Sequence, residues 1–271
     1  VTGAGRGIGR AIAHICVQEG AQVAICSRTK SELEETIATY HDHNNQALGG
    51  ELDELASSCK EPSISGADTG MDMFVADLKD QDQVETMVSE IVEKWGKIDI
   101  LINNAGRGQA KKGAAYELDA EDLKDLFDLN VVAVHSVTSA VLRQSMLPMK
   151  SGRIINISSK AGKVGLKNNS FYVTSKFALE GYSASLALEL EEHNISVNTI
   201  SPGMVNTQSF PKPPGREGVR TAESIRDGLL LLLTTEKTGH YVHVAELDQV
   251  RQKGLEDSKA LKPINEAAFS A

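Results

Sequence analysis

The sequence predicts an α/β protein in which a doubly wound parallel sheet lies between two layers of helices, in a single domain. Short aliphatic runs alternate with longer helical patterns along the chain, the order that produces a parallel sheet with helices on both faces. The short runs are apolar nearly throughout, as expected for strands that are buried on both sides. The apolar content of 41% and the charged content of 24% are ordinary for a globular chain.

The elements follow one another in a regular order. Strands are predicted at QVAIC (22–26), MFVADL (73–78), IDILINNAG (98–106), GRIINISS (152–159), ISVNTIS (195–201) and HYVHVAEL (240–247). Helices are predicted near 7–19, 30–40, 80–95, 120–148, 171–192 and 221–234. Gly20 and Gly96 directly follow two of these helices, where glycine is a favoured C-terminal cap.

The alternation is interrupted once and ends before the C-terminus. Residues 41–72 are polar and rich in Gly, Ser and Asp, and no connection between a helix and a strand needs that length. We expect a surface insertion there, with a short helix at ELDELASS (51–58). Residues 1–245 are therefore predicted to form one domain, and residues 246–271 a polar C-terminal tail.

Composition excludes several classes of function. The net charge of −9 argues against a nucleic-acid binder, which normally carries a basic surplus. Apolar runs are far shorter than the ~20 residues that span a bilayer, so no membrane role is expected. Three cysteines, Cys16, Cys26 and Cys59, have no metal-ligand spacing, and no metal site is predicted; they are expected to be reduced thiols in the cytoplasm.

The first residues qualify the expected location. The chain begins VTGAGRG, without an initiator methionine and with almost no residues before the first glycine. It is therefore expected to be a fragment that lacks most of the strand leading into this loop. Organelle targeting stays open, because a targeting segment could have been lost with that strand.

A glycine-rich loop opens the chain. In TGAGRGIGRAIA, Gly3, Gly7 and Gly9 lead directly into the first predicted helix. Such glycines let the backbone approach a pyrophosphate closely, while the helix N-terminus offers free N–H groups to the negative charge. Because the strand QVAIC follows that helix, the pattern predicts a Rossmann-type dinucleotide site.

The end of the second strand indicates which dinucleotide binds. A site for NAD usually has an acidic residue there, which accepts a hydrogen bond from the ribose 2′-OH. Here Ser27 stands at that place and Arg28 follows, while Arg6 lies within the glycine loop. Two guanidinium groups suit a 2′-phosphate, so the sequence favours NADP; the alternative is a pair of solvated surface arginines.

Tyr172 and Lys176 are four positions apart in FYVTSKFALEGY, which places them on one face of a helix. A nearby positive charge favours the phenolate and lowers the pKa of tyrosine from its reference value near ~10. Tyrosine–lysine pairs also occur by chance on many amphipathic helices, so the spacing alone does not decide between catalysis and a surface pair.

The motifs together resemble the short-chain dehydrogenase/reductase family, over nearly the whole chain to about residue 245. They occur in order as TGxxxGxG, VADL, NNAG, LFDLNV, NISSKAG, YxxxK and PGMVNT. The resemblance implies a catalytic group of Asn130, Ser159, Tyr172 and Lys176. Tyr172 would exchange a proton with the substrate oxygen that Ser159 holds. Lys176 would bind the nicotinamide ribose and lower the pKa of Tyr172, and Asn130 would anchor a water molecule. Ser158 is the alternative to Ser159.

The resemblance also implies a set of residues that contact NADP(H). Besides Tyr172 and Lys176, the set comprises Gly3, Arg6, Gly7, Ile8, Gly9, Ser27, Arg28, Asp77, Leu78, Asn104, Ala105, Gly106, Pro202, Gly203, Val205 and Thr207. Asp77 would accept a hydrogen bond from the adenine amino group, and NNAG would line the adenosine side. For Asn103, a structural role within the sheet competes with a role in binding.

The expected activity is hydride transfer between NADP(H) and a small-molecule carbonyl or secondary alcohol. Reduction of a 3-oxoacyl thioester is the alternative substrate class, and a dinucleotide-binding regulator without turnover is the alternative from another class of function.

The segment 206–220 is shorter than the family's usual lid and contains three prolines, which predicts an open pocket. Arg107, Lys111 and Lys112 would form a basic rim. The expected assembly is a homodimer, or a higher homo-oligomer, through the helices that contain Asn130 and Tyr172.

Overall fold

A computed structural model of the chain describes residues 1–47, 69–208 and 210–265. The strands within these ranges are β1 (Val23–Ser27), β2 (Met71–Val75), β3 (Ile100–Asn103), β4 (Gly152–Ile157), β5 (Ile195–Ser201), β6 (His240–His243) and β7 (Lys262–Pro263). The longer helices are α1 (Gly7–Gln18), α2 (Lys30–Ala47), α3 (Gln81–Trp95), α4 (Ala120–Met149), α5 (Ser170–Glu189), α6 (Arg226–Thr234) and α7 (Val244–Gln252).

The strands form a parallel sheet whose order reverses at the glycine loop. β1 pairs with β2, while β3, β4, β5 and β6 pair in sequence, all in parallel. Residues 1–4 join the two groups, because Thr2 N–H donates to Ile102 O (3.1 Å) and Cys26 N–H donates to Val1 O (3.1 Å). The glycine loop therefore leaves the sheet where β1 and β3 diverge, the place where doubly wound sheets bind ligands.

Alternate side chains of each strand enter two different apolar cores. In β4, Ile154 packs on the side of α3, α4 and α5, while its neighbour Ile155 packs on the side of α1, α6 and α7. This alternation is the period-two pattern of a strand, and it explains why the strand sequences are apolar at consecutive positions. The predicted three-layer architecture is confirmed.

The helix α4 is continuous over thirty residues and contains two π-helical turns, Asp128–Val132 and Leu142–Met146. By length and composition alone it could cross a membrane, yet half of its most apolar stretch is buried inside the domain. It packs against α3 and β3. We therefore interpret α4 as a helix of the domain core, because core helices can be as long and as apolar as helices that span a membrane.

The end of the chain differs from the sequence prediction. The strand predicted at 240–247 ends at His243, whose Nδ1 accepts a hydrogen bond from Ala245 N–H (3.2 Å) and so caps α7. Beyond α7, β7 pairs antiparallel with β6, and Leu261 and Ile264 are buried. Residues 246–265 thus belong to the domain rather than to a tail, because scattered apolar side chains anchor an otherwise polar segment.

The predicted insertion is described only at its two ends. The helix α2 continues to Ala47 and β2 begins at Met71, so both elements extend into the range 41–72. The short helix predicted at 51–58 lies outside the described residues.

Candidate active site

The glycine loop has a backbone that side chains would obstruct. Gly3 and Gly7 have φ values of +63° and +56°, in the left-handed region that favours glycine. A Cβ atom added to Gly9 would lie 2.2 Å from Gly3 O, a distance that no substitution relieves without moving the backbone. Glycine therefore lets the loop fold tightly at the N-terminus of α1, where backbone N–H groups can receive a phosphate.

A cleft of about 200 Å³ lies over this loop. It brings together thirteen of the residues predicted to bind NADP(H): Gly3, Arg6, Gly7, Ile8, Gly9, Ser27, Arg28, Asp77, Leu78, Asn104, Ala105, Gly106 and Thr207. Pro202, Gly203 and Val205 do not line it and instead follow the carboxyl end of β5. Tyr172 and Lys176 lie outside it as well, and Phe210 both lines the cleft and contacts the Tyr172 ring.

The NNAG segment supports the loop from behind. Asn104 Nδ2 donates to Thr2 O (3.0 Å) and Gly3 O (3.1 Å), which fixes the first turn of the loop. Asn103 is buried, and its Nδ2 donates to Thr138 Oγ1 (3.0 Å) and Asn156 Oδ1 (2.9 Å). These bonds favour the structural role for Asn103, and they give Asn104 a supporting role in addition to its place on the cleft wall.

Both predicted arginines border the cleft and are accessible. Arg28 has 66% of its side chain exposed and lies 3.9 Å from an oxygen of Asp77. Arg6 is 44% exposed, pairs with Glu32 at 3.2 Å and donates to Gln208 Oε1 (3.0 Å). Sequence reasoning did not identify Glu32, because one acidic residue within a charged helix carries no distinguishing signal.

The helix α5 and the end of β4 bring the predicted catalytic side chains together. Lys176 Nζ donates to Ile157 O (2.8 Å) and lies 5.9 Å from the centre of the Tyr172 ring. Ser159 Oγ accepts a hydrogen bond from Ala161 N–H (3.1 Å) and lies close enough to Tyr172 to lower the pKa of its phenol. The Oγ atom of Ser158 is buried and has no hydrogen-bond partner in the described structure. This geometry supports Ser159 over Ser158.

Asn130 lies in the first π-helical turn of α4 and is buried. Its Nδ2 donates to Arg107 O (2.9 Å) and Ser175 Oγ (3.1 Å), and its Oδ1 accepts from Arg107 N–H (2.9 Å). Both amide protons are therefore used within the protein, so a water molecule held by this side chain would have to donate to Oδ1. π-helical turns are frequent at functional sites.

Burial dominates the protonation of the Tyr172–Lys176 pair. It lowers the pKa of Lys176 to about 8, and the carboxylate of Glu180 opposes that shift. Burial also raises the pKa of Tyr172, against a smaller lowering by the hydrogen bond from Ser159. The pKa of Tyr172 was expected to be lowered by Lys176. In the structure it is raised instead, because burial has the largest effect.

Two further residues, Phe210 and Gln109, contact α5 from loops. The Phe210 ring lies 5.9 Å from that of Tyr172, centre to centre. Gln109 Oε1 accepts from Phe171 N–H (2.9 Å) and Tyr172 N–H (3.4 Å) and so caps the start of α5. The sequence offers Asn169 as the expected N-cap of α5, but its side chain makes no capping hydrogen bond. Nothing in the sequence therefore indicates that Gln109 has this role. The described residues of the segment around Phe210 form no helix. The pocket is less open than expected, because the Phe210 ring lies against that of Tyr172.

Comparisons with known proteins give consistent matches. The family model described as short chain dehydrogenase matches residues 1–61 and 50–214. A putative ketoacyl reductase of Streptomyces coelicolor is 34% identical over 208 residues, covering 76% of this chain and 70% of that protein. An NADPH-dependent pterin aldehyde reductase of Arabidopsis thaliana is 34% identical over 208 residues, covering 77% of this chain and 74% of that protein. A solved variant of actinorhodin polyketide ketoreductase with NADPH is 28% identical, with a TM-score of 0.75 over 90% of this chain and 94% of that chain.

Proposed function

The chain belongs to the short-chain dehydrogenase/reductase family of oxidoreductases, and from this premise we propose that it is an NADPH-dependent reductase of a ketone or aldehyde. The reverse oxidation of a secondary alcohol uses the same groups. The proposal rests mainly on one observation: Tyr172 lies close to Ser159 and shares a face of α5 with Lys176. A glycine-lined cleft bordered by two arginines lies nearby.

The residues divide the chemistry of carbonyl reduction between them. NADPH, when bound, supplies the hydride. The carbonyl oxygen gains negative charge and needs a proton as the hydride arrives. The Tyr172 hydroxyl donates that proton, and the Ser159 hydroxyl holds the same oxygen by a hydrogen bond. Lys176, protonated, offsets the charge left on Tyr172, while Phe210 shields the phenol from water.

The cleft suits NADP in shape and in charge. The tight glycine loop lies at the N-terminus of α1, as in sites that bind a pyrophosphate. Arg6, within that loop, and Arg28, directly after β1, border the cleft. To bind the 2′-phosphate, Arg6 must release Glu32, its partner in an ion pair. The phosphate carries more negative charge than the carboxylate that it replaces. An NADPH-oxidation screen over ketones, quinones and 3-oxoacyl thioesters, run beside NADH, tests the function; equal use of both coenzymes would contradict the assignment of these arginines.

Replacing Arg28 with alanine is expected to raise the Kd for NADPH about 10- to 100-fold, because hydrogen bonds to a charged group contribute about 1.5–3 kcal/mol. The Kd for NADH is expected to change little, since NADH has no 2′-phosphate. Titration of coenzyme fluorescence measures both constants. Arg143→Ala, which removes an exposed arginine on α4, is the matched control; an equal loss for both coenzymes would refute the phosphate contact.

A basic cluster favours 3-oxoacyl thioesters as a second substrate class. Lys212 follows Phe210 on the lid, and Lys112 and Arg216 lie close enough to lower the pKa of Lys212, after the larger effect of burial. Such a cluster attracts anionic substrates. Arg107, in contrast, is paired with Asp125 and is removed from the predicted rim. Charge reversal at Lys112 and Lys212 should lower kcat/KM for anionic ketones at low salt but not for neutral ones. An unchanged kcat/KM would exclude electrostatic attraction of the substrate by this cluster.

We expect α4 and α5 to form a homodimer interface through apolar residues that the single chain leaves exposed. Val132, Phe177 and Leu188 are 53%, 42% and 73% exposed. The double variant Phe177→Glu with Leu188→Glu is expected to convert the assembly to monomers, because it buries charge in the interface. Light scattering after size-exclusion chromatography measures this, with Leu255→Glu as the exposed control; a monomeric wild type would contradict the expectation.

A further inference from the structure

A buried ion pair lies next to the catalytic group. Lys163 Nζ is 3.0 Å from Glu180 Oε2, and only 6% of either side chain is exposed. Removing two charges from water is costly, so a buried pair of this kind adds little net stability. The position of the pair therefore needs an explanation other than stability.

The pair joins the two segments that carry the catalytic hydroxyls. Glu180 lies one turn beyond Lys176 on α5, and Lys176 lies one turn beyond Tyr172, so all three share a face of the helix. Ser159 begins the short turn after β4, and Lys163 ends it. The ion pair consequently ties the segment that holds Ser159 to the helix that holds Tyr172.

The turn also rests directly on α5 at this point. A Cβ atom added to Gly162 would lie 2.9 Å from Glu180 Cγ and 3.0 Å from Lys176 O. This contact leaves no space for the turn to approach α5 further. Glycine at this place lets the turn pack against the helix between the lysine and the glutamate.

Both partners of the pair are held by further contacts. Lys163 Nζ donates to Ile264 O (2.6 Å) and lies 4.7 Å from the centre of the Tyr241 ring. Glu180 Oε2 accepts from Thr199 Oγ1 (3.0 Å). Its other oxygen, Oε1, is buried and accepts no hydrogen bond from the described residues.

The charged groups around Lys176 come from several elements. On α5 it faces Tyr172 and Glu180, and from β4 it meets only the uncharged carbonyl of Ile157. Lys163, from the turn, and Tyr241, from β6, face Glu180. The carboxylate of Glu180 opposes the loss of the Lys176 proton that burial promotes.

We propose that Glu180, held in place by Lys163, is a positioning residue that keeps Lys176 protonated for the reaction and fixes the distance between Tyr172 and Ser159. This inference rests on the proposed function, since it assigns the pair a role in that same reaction. It extends the catalytic face of α5 by one helical turn, from Tyr172 and Lys176 to Glu180.

Glu180→Gln tests the inference, because it removes the charge and retains an oxygen that can accept from Thr199. With lysine labelled by ¹³C at Cε, NMR follows the protonation of Lys176, whose signal is assigned by its loss in Lys176→Met. The midpoint of the Lys176 titration is expected to fall by roughly one pH unit, the lower end of the shift produced by an opposite charge nearby. The alkaline limb of kcat for carbonyl reduction should move to lower pH with it.

The control and the second variant make the test decisive. Glu189→Gln removes an exposed carboxylate from the same helix and is expected to leave the midpoint unchanged. The double variant Lys163→Met with Glu180→Gln leaves no unpaired charge and should reproduce the shift. An unchanged midpoint in either variant overturns the proposal, as does failure of both to fold, because the pair would then serve folding. The NMR titration needs no turnover, so a chain that reduces no carbonyl would contradict the proposed function and still decide the charge of Lys176.

Discussion

Replacing Tyr172 with phenylalanine is expected to reduce kcat for carbonyl reduction about 10³-fold or more, equivalent to about 4 kcal/mol in the barrier. The phenol is the group that donates a proton to the substrate oxygen, and phenylalanine has none to give. The ring contact with Phe210 is retained, because both residues have the same aromatic ring. Steady-state rates with saturating NADPH and the best carbonyl substrate measure the change.

The same variant should still bind NADPH with a Kd close to that of the wild type. The cleft residues do not include Tyr172, so its hydroxyl is expected to contribute to turnover far more than to binding. Tyr116→Phe, at an exposed tyrosine, is the control. Turnover by Tyr172→Phe at more than a tenth of the wild-type rate would remove this residue from the role of acid.

Lys176→Met is expected to reduce kcat about 10²-fold or more and to abolish the alkaline limb of the pH profile near the Lys176 pKa. In the reduction direction, the protonated amine stabilises the charge that Tyr172 acquires as it releases its proton. Because the pKa of Lys176 is lowered to about 8, the wild-type kcat should fall as the pH rises through that value and the lysine loses its charge.

Stability distinguishes this effect from misfolding. Methionine fills a similar volume but leaves Ile157 O without its donor, which costs about 1–3 kcal/mol of unfolding free energy. Methionine also removes the buried charge whose cost lowers the pKa of Lys176, and this gain offsets the lost hydrogen bond. Thermal unfolding should therefore show a cooperative transition with a Tm close to that of the wild type. Lys253→Met, at an exposed lysine, is the control, and a wild-type alkaline limb retained in Lys176→Met would assign the titration to another group.

The elements of the fold could be predicted from sequence where a pattern is local. Strands buried on both faces and helices with a 3.6-residue period were located to within a few residues, as for β5 at Ile195–Ser201. The prediction for the end of the chain was wrong, because the helix after His243 and the pairing of β7 with β6 depend on contacts with the core. Apolar residues as sparse as Leu261 and Ile264 show no periodicity from which such packing can be predicted.

The residues of the candidate site likewise fall into those that a local sequence motif predicts and those that only the fold brings together. The glycine loop, Ser159, Tyr172 and Lys176 occur in motifs with fixed spacing, so the resemblance predicted their approximate roles. Gln109 and Phe210 reach the site from segments that are distant in sequence, and no spacing rule connects them to α5. Lys163 and Glu180 lie close in sequence to Ser159 and Lys176, but their pairing depends on how the turn after β4 packs against α5. The protonation of Tyr172 was expected from its charged neighbour, whereas burial, which only the fold determines, has the larger effect.

The most direct test of hydride transfer by this chain uses NADPH deuterated at both C4 positions. Mass spectrometry of the alcohol product then shows whether the label reached the former carbonyl carbon. The wild type is expected to give an alcohol with one deuterium at that carbon, and Tyr172→Phe to give almost none in the same time. A wild type that binds NADPH but transfers no deuterium to any ketone, aldehyde or 3-oxoacyl thioester would contradict the proposal that this chain is a reductase.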